Sequence, residues 1–239
     1  MIVDCIADLH GNYPELEGGD LLIVAGDLTR NDDPKGMIDF YSWIDAQDYK
    51  KKIVIGGNHD NYFYHCCSLG DTKPFSLVNT EYLCDSGTEF EWDSPSEKEW
   101  GSNRSPISVV PYEKKKLKIW GSPWTLWFPG INPKCKAFTG DENDLRLMFD
   151  AIPHDIDILV THGPPYGIFD KTARNELVGS KELLIKVAEI KPIIHCFGHI
   201  HEQGGKEMWV PWKNGTRFIN CSYVNERYQP VNKPIRIIL

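Results

Sequence analysis

Five short apolar runs in this chain stop abruptly at polar signatures. IVDCIA leads into Asp8-Leu9-His10, LLIVA into Gly26-Asp27, KIVI into Gly56-Gly57-Asn58-His59-Asp60, IDILV into Thr161-His162-Gly163, and IIHCF into Gly198-His199-Ile200-His201. Apolar runs of this length, bounded by Gly, read as buried strands. Carboxylate, amide and imidazole side chains that recur at strand ends call for a shared destination, which in α/β sheets is the rim at the carboxyl ends of the strands. On an extended backbone, residues two apart point the same way. Asp8 and His10 are therefore predicted to face one point, as are His199 and His201, each pair forming a chelate. One such residue at one strand end is more often a cap or a satisfied polar group than a ligand. Five in series are not explained by capping and turn chemistry alone. Oxygen and imidazole donors without thiolate suit Mn²⁺, Fe, Zn²⁺ or Ni²⁺.

Helical patterns separate these runs, at about Pro34 to Ala46, Asp141 to Ala151 and Ser180 to Ile190, the last with apolar Leu183, Leu184, Val187 and Ile190. Alternating strands and helices predict an α/β chain with a partly parallel sheet. With 239 residues and no internal repeat, a single domain over 1–239 is expected. Gly11 to Gly19 is too short for the helix that a parallel crossover usually carries, so this connection is predicted to be a loop. The stretch from Asp93 to Lys116, polar and punctuated by Pro, exceeds what a hairpin between TEFEW and KLKIW needs and reads as an insertion. Within it Trp100, Arg104 and Tyr112 could meet a base and a phosphate, against the plainer reading of a surface loop. Asn214-Gly215 reads as a type I′ turn between WVPW and TRFIN. The Lys50 to Lys52 and Lys114 to Lys116 runs read as solvated element ends. Gly18-Gly19 and Gly56-Gly57 lack the Lys of a P-loop and read as tight turns.

A formal charge of -8 excludes a chain that grips nucleic acid by a general basic surface. No apolar run approaches the roughly 18 residues of a membrane helix, and Asp4 and Asp8 interrupt the start where a signal peptide would be apolar. The seven cysteines (Cys5, Cys66, Cys67, Cys84, Cys135, Cys196, Cys221) are odd in number and lack metal-knuckle spacing. They are predicted to be reduced thiols, the adjacent Cys66 and Cys67 being the exception that calls for a thiol titration, and the protein cytoplasmic.

In order and spacing, the five signatures resemble the calcineurin-like metallophosphoesterase superfamily, and the resemblance spans essentially the whole chain. It implies a four-layer α/β/β/α architecture, two β-sheets packed as a sandwich and flanked by helices, around a binuclear metal centre. It implies Asp8, His10 and His201 for the first metal, Asn58, His162 and His199 for the second, and Asp27 bridging both. Two divalent ions follow, manganese first, with Fe, Zn, Ni or Co as alternatives. His59 falls where the family keeps a histidine that binds phosphate or protonates the leaving group. Three phrases, GDLT, GSPWTLWF (Gly121 to Phe128) and ILVTHGPPYG (Ile158 to Gly167), with the short first crossover, are similar to the MPPED-type phosphodiesterases. That likeness implies hydrolysis of phosphodiesters, 2′,3′-cyclic nucleotides among them, by a metal-bridging hydroxide.

The chain departs from the wider pattern at Arg30, where many relatives carry a second Asp. Asp60 is therefore expected to orient His59 instead. Arg30-Asn31-Asp32 does not reproduce the Asp-Arg-Gly of protein Ser/Thr phosphatases, which argues against a phosphoprotein substrate. Trp127 and Tyr166, beside metal motifs, are expected to contact substrate, with packing as the ordinary alternative. His195 in IIHCF is expected to be a hydrogen-bonded core imidazole. A phosphomonoesterase or dinucleoside-polyphosphate hydrolase, and a non-catalytic metal-binding module, are the competing functions. Partners beyond a small phosphoester are not implied.

Overall fold

The computed structural model describes residues 1–30, 32–70, 77–95, 112–128, 134–212 and 215–239. Five strands form the first sheet: β1 (Ile2–Ile6), β2 (Gly19–Ala25), β3 (Tyr49–Ile55), β4 (Thr80–Tyr82) and the last strand, β13 (Ile235–Ile238), in the order β13-β1-β2-β3-β4. The second sheet is built from β5 (Ser86–Pro95), β6 (Tyr112–Ser122), β9 (Ile158–Thr161), β10 (Ile194–Phe197), β11 (Lys206–Val210) and β12 (Thr216–Asn220), in the order β11-β12-β10-β9-β6-β5. A two-stranded ribbon, β7 (Thr125–Leu126) with β8 (Thr139–Gly140), falls between β6 and β9 in the chain. The helices are α1 (Pro34–Asp45), α2 (Asn61–Ser68), α3 (Glu142–Asp150) and α4 (Lys181–Ile190).

The alternation of side chains along each strand makes the layers. Leu21, Ile23 and Ala25 of β2 join Val3, Cys5, Ile53 and Ile55 against Ile119, Ile158, Val160, Cys196 and Ile219 of the second sheet, forming the inner core. Their neighbours Leu22 and Val24 face the other way, onto Met37, Phe40 and Ile44 of α1 and Phe63 of α2. On the far side Leu159, Phe197 and Phe218 meet Leu145 and Phe149 of α3 and Leu183, Val187 and Ile190 of α4. Strands covered on both faces need apolar residues at consecutive positions, which is why they read as unbroken runs. Removing a fully buried Ile or Leu from such a core costs about 2–5 kcal/mol.

Local chemistry sets the helix boundaries. Asp33 accepts from Gly36 N–H, with Pro34 at the first helical position of α1. Asp141 and Asp144 form a reciprocal capping box at α3, and Ser180 caps α4. Lys52 departs from the expected solvated run: it is buried, and its ammonium donates to the carbonyls of Ile44, Asp45 and Gln47 at 2.9, 3.3 and 3.3 Å. It neutralises the carboxyl end of α1, where a cation is favoured.

Three expectations need correction. The hairpin between β5 and β6 continues to Asp93↔Lys114, Ser94↔Glu113 and Pro95↔Tyr112, so the ends of the supposed insertion are paired strand. Tyr112 belongs to β6, while Trp100 and Arg104 lie outside the described residues. The Val210↔Thr216 pair leaves a five-residue connection, 211–215, where a two-residue type I′ turn was expected, and Gly215 N–H donates to Trp212 O. Asn214 lies outside the described residues.

The third correction concerns the thiols. Cys67, near the end of α2, is disulfide-bonded to Cys84, just past β4, while Cys5, Cys66, Cys135, Cys196 and Cys221 are free. The adjacent cysteines of α2 thus differ in chemistry: Cys66 is a buried free thiol and Cys67 reaches its partner. Titration of the unfolded, unreduced protein should find five thiols, rising to seven after reduction; seven before reduction would remove the bridge.

Candidate metal centre

Strands β1, β2 and β3 run parallel in one sheet, and β6, β9, β10 and β12 run parallel in the other. The loops after β1, β2, β3, β9 and β10 meet at one rim, and a bridge between Ala7 and Ser222 links the two sheets there. Asp8, His10, Asp27 and His201 offer ligand atoms that all lie within 4.8 Å of one another. His10 Nε2 is 3.4 Å from His201 Nε2 and 3.4 Å from Asp27 Oδ2, and His201 Nε2 is 3.3 Å from Asp8 Oδ1. On the other side of Asp27, His162 Nε2 lies 3.4 Å from Oδ1 and 3.0 Å from Asn58 Oδ1, with the His199 ring 5.0 Å from that of His162. All seven residues expected to hold metal therefore gather at this rim.

The pairs converge by a different route from the one expected. Asp8, His10, Asp27 and His199 have φ of 53°, 42°, 53° and 70°, in the left-handed region, and the strands end before them at Ile6, Ala25 and Phe197. Backbone turning, rather than extended alternation, aims these side chains. For residues with a Cβ this conformation costs on the order of 1–3 kcal/mol and persists only where the surroundings enforce it. Here Asp8 N–H donates to Gly26 O at 2.9 Å and His10 N–H to Asp27 O at 3.0 Å. Glycine supplies the clearance: a Cβ at Gly198 would fall onto the Asp8 carboxylate, and one at Gly57 onto Asp27. These glycines make room for ligands as well as making turns.

Backbone partners fix the imidazoles. His162 Nδ1 donates to Ala25 O at 3.0 Å and His201 Nδ1 to Asn225 O at 3.2 Å, so each Nε2 faces the cluster. A ring held this way is a preset metal ligand. The donor set of two carboxylates, one amide and four imidazoles, closely spaced and buried except for the partly exposed His199 and His201, fits divalent cations of the first transition row.

The clustered carboxylates and imidazoles shift one another's protonation. Burial alone would raise the Asp27 carboxyl, but the imidazoles beside it, His162 foremost, hold it well below the usual carboxylate range. Asp8 is likewise held low, burial being outweighed by His201 and His162. Burial opposes a charge on His162, yet Asp27 beside it raises its pKa to about 9. Burial lowers His10 to about 4 and His199 to about 3, leaving both neutral at neutral pH.

Asp60 is placed differently from its expected role. Its buried carboxylate accepts from Gly57 N–H at 2.8 Å and from Leu28 N–H at 3.1 and 3.3 Å, pinning the β2 and β3 loops together. The ring of His59 instead has Cys135 Sγ 3.4 Å from its Nδ1, and its backbone N–H donates to Asp27 Oδ1 at 2.9 Å. Trp127 lines a cleft of about 70 Å³ with Asn58, Cys135 and His199. Tyr166 is not among the lining residues and lies beneath the Lys181 ammonium, 5.4 Å from ring centre. His195 is the core imidazole expected, 2.9 Å from Thr161 Oγ1, with burial lowering its pKa to about 3. Sequence reasoning missed Cys135, Asn225 and Tyr228, which belong to no motif.

A two-sheet sandwich carrying this cluster defines a metallophosphoesterase, and the chain belongs to the calcineurin-like phosphoesterase family, which matches it over residues 1–203. It is similar to metallophosphoesterase domain-containing protein 1 of Homo sapiens, 32% identical across 98% of this chain and 70% of that protein. A UPF0046 protein of Caenorhabditis elegans is 31% identical, with 97% and 78% covered. The crystal structure of TT1561 from Thermus thermophilus shares the fold, with a TM-score of 0.57 at 11% identity, covering 94% of this chain and 89% of that one. Among the described residues no helix is long and apolar enough to cross a membrane.

Cation loading has a proton cost that can be measured. At pH 7 His162, with its pKa near 9, holds a proton on the Nε2 that a metal needs, whereas His10 and His199 are already neutral. Apparent Mn²⁺ affinity should therefore rise with pH up to about 9, roughly tenfold per unit for each proton displaced. Calorimetry in buffers of different ionisation heat should find at least one proton released per chain at pH 7; release of none would contradict this charge balance.

Proposed function

We propose that the chain hydrolyses phosphodiesters on two divalent cations, manganese first, with 2′,3′-cyclic nucleotides among its candidate substrates. The observation that supports two cations is the division of Asp27, whose Oδ2 faces His10 and whose Oδ1 faces His162; the diester preference rests on the likeness of GDLT, GSPWTLWF and ILVTHGPPYG to the MPPED-type phosphodiesterases. Asp8, His10 and His201 would hold one ion, Asn58, His162 and His199 the other, and Asp27 both. When bound, the ions would supply the activated water that attacks phosphorus and would offset charge on the phosphoryl oxygens.

The chain's own residues divide the remaining work. The side chain of His59 is 16% exposed, against 1% for His10 and 0% for His162, so among these three it is the one a substrate can reach. It would donate its proton to the departing alkoxide, the step of greatest value when the leaving group is poor. The backbone bond from His59 N–H to Asp27 Oδ1 ties that donor to the shared carboxylate. Trp127 and the cleft beside it would receive part of the organic substituent. Tyr166, under Lys181, has less support as a substrate contact. A small phosphoester is the partner in this reading. The cytoplasmic siting rests on five free thiols, and the Cys67–Cys84 disulfide weighs against it.

Substitution of His59 tests the assignment. His59→Ala should keep its metals and lose about 10²- to 10⁴-fold on a nucleotide diester. The loss should be far smaller on a nitrophenyl ester, whose leaving group scarcely needs a proton. Equal losses on both would make His59 a phosphate-binding group. Faster turnover of a matched monoester than of the diester by the unaltered protein would favour the monoesterase reading.

A further inference from the structure

The segment after β12 brings a side chain to the metal centre that no motif announces. Residues 225–229 form a turn in which Asn225 Oδ1 accepts from the N–H groups of Arg227 and Gln229 at 2.9 and 3.0 Å. Tyr228 sits on this turn with φ of 59°. The Asn225 carbonyl accepts from His201 Nδ1–H at 3.2 Å, and Tyr228 O accepts from Asn12 Nδ2 at 3.4 Å. The turn is thereby fastened to the loops that follow β10 and β1.

The Tyr228 ring stands edge-on to His10 at 4.6 Å between centres, to His201 at 5.6 Å and to His59 at 6.2 Å. It is nevertheless 43% exposed, so part of its surface is spent on the imidazoles while the rest faces solvent at the mouth of the site. Trp127, 46% exposed, stands beside the other donor set, with Asn58 and His199. Each half of the centre thus has one half-exposed aromatic ring next to it. An exposed aromatic alone signifies little. One held in a left-handed backbone turn, against the very imidazoles that would carry metal, stands at the mouth of the site.

We propose that Tyr228 is a substrate-contacting residue that receives a flat ring of the ester's organic group, so that the site prefers phosphoesters of aromatic groups, nucleosides included. This rests on the phosphoesterase reading of the same site. Ring-on-ring contact provides the preference through the area buried and the complementary edge and face of the two π-systems, and tolerates different bases. The competing role is positional, with the ring merely holding His10 and His201.

Calorimetric titration of the manganese-loaded protein separates these roles, using a nucleoside 5′-monophosphate and methyl phosphate as probes. The unaltered protein should bind the nucleotide more tightly. Tyr228→Leu should weaken the nucleotide about tenfold while leaving methyl phosphate and manganese content unchanged, and Tyr228→Phe should keep the original preference. Equal weakening of both probes, loss of manganese in Tyr228→Leu, or no change in nucleotide affinity would each overturn the proposal. Because binding is read directly, a failure to turn over diesters would count against the proposed reaction and leave this inference standing.

Discussion

The Asp27 carboxylate joins two sheets that otherwise meet mainly through apolar side chains. It arrives on the loop after β2 of the first sheet, as does His10 after β1, and its second oxygen meets His162, carried by β9 of the second sheet. Each donor set draws side chains from both sheets, so the halves of each set are held at their distance by the inner core, where Ile23 and Ile55 pack with Val160 and Cys196. Close-packed interiors resist small displacements, so the core that stabilises the fold also spaces the ligands. Asp60, bonded to both Leu28 and Gly57, keeps the β2 and β3 loops from parting beneath that carboxylate.

Burying so many ionisable groups would be unfavourable if their charges were uncompensated. His162 beside Asp27, and His201 beside Asp8, have raised pKa values, so protons can offset part of the buried negative charge. Divalent ions would replace those protons and relieve the repulsion between the Asp8 and Asp27 carboxylates. The left-handed backbone at Asp8, His10, Asp27 and His199 is consistent with a site whose geometry serves ligation at some expense of local stability.

Much of this was legible in the sequence, because strands buried on both faces leave unbroken apolar runs and the ligands follow them directly. Helices α1, α3 and α4 match the expected spans closely, since Asp33, Asp141 and Ser180 mark their starts. Helix α2 was not legible: NYFYHCCS is rich in aromatic and thiol residues, and its buried positions are only Phe63 and Cys66. The reason for convergence was also hidden, since period-two alternation predicted a pairing that positive φ angles actually produce. Asp60 looked like a partner for His59 because Arg30 stands where a second Asp is usual, yet the loop directs its carboxylate to backbone amides. Cys135, Asn225 and Tyr228 reach the site from distant segments by tertiary contact, which local pattern does not encode.

The central claim is that Asp27 is shared by two cations, one on each side. Anomalous diffraction from crystals grown with Mn²⁺ tests it most directly, because it locates manganese independently of activity. Two peaks roughly 3.5–4 Å apart, one among Asp8, His10 and His201 and one among Asn58, His162 and His199, with Asp27 between them, are the result this account predicts. A single fully occupied peak confined to the Asp8, His10 and His201 side would contradict it.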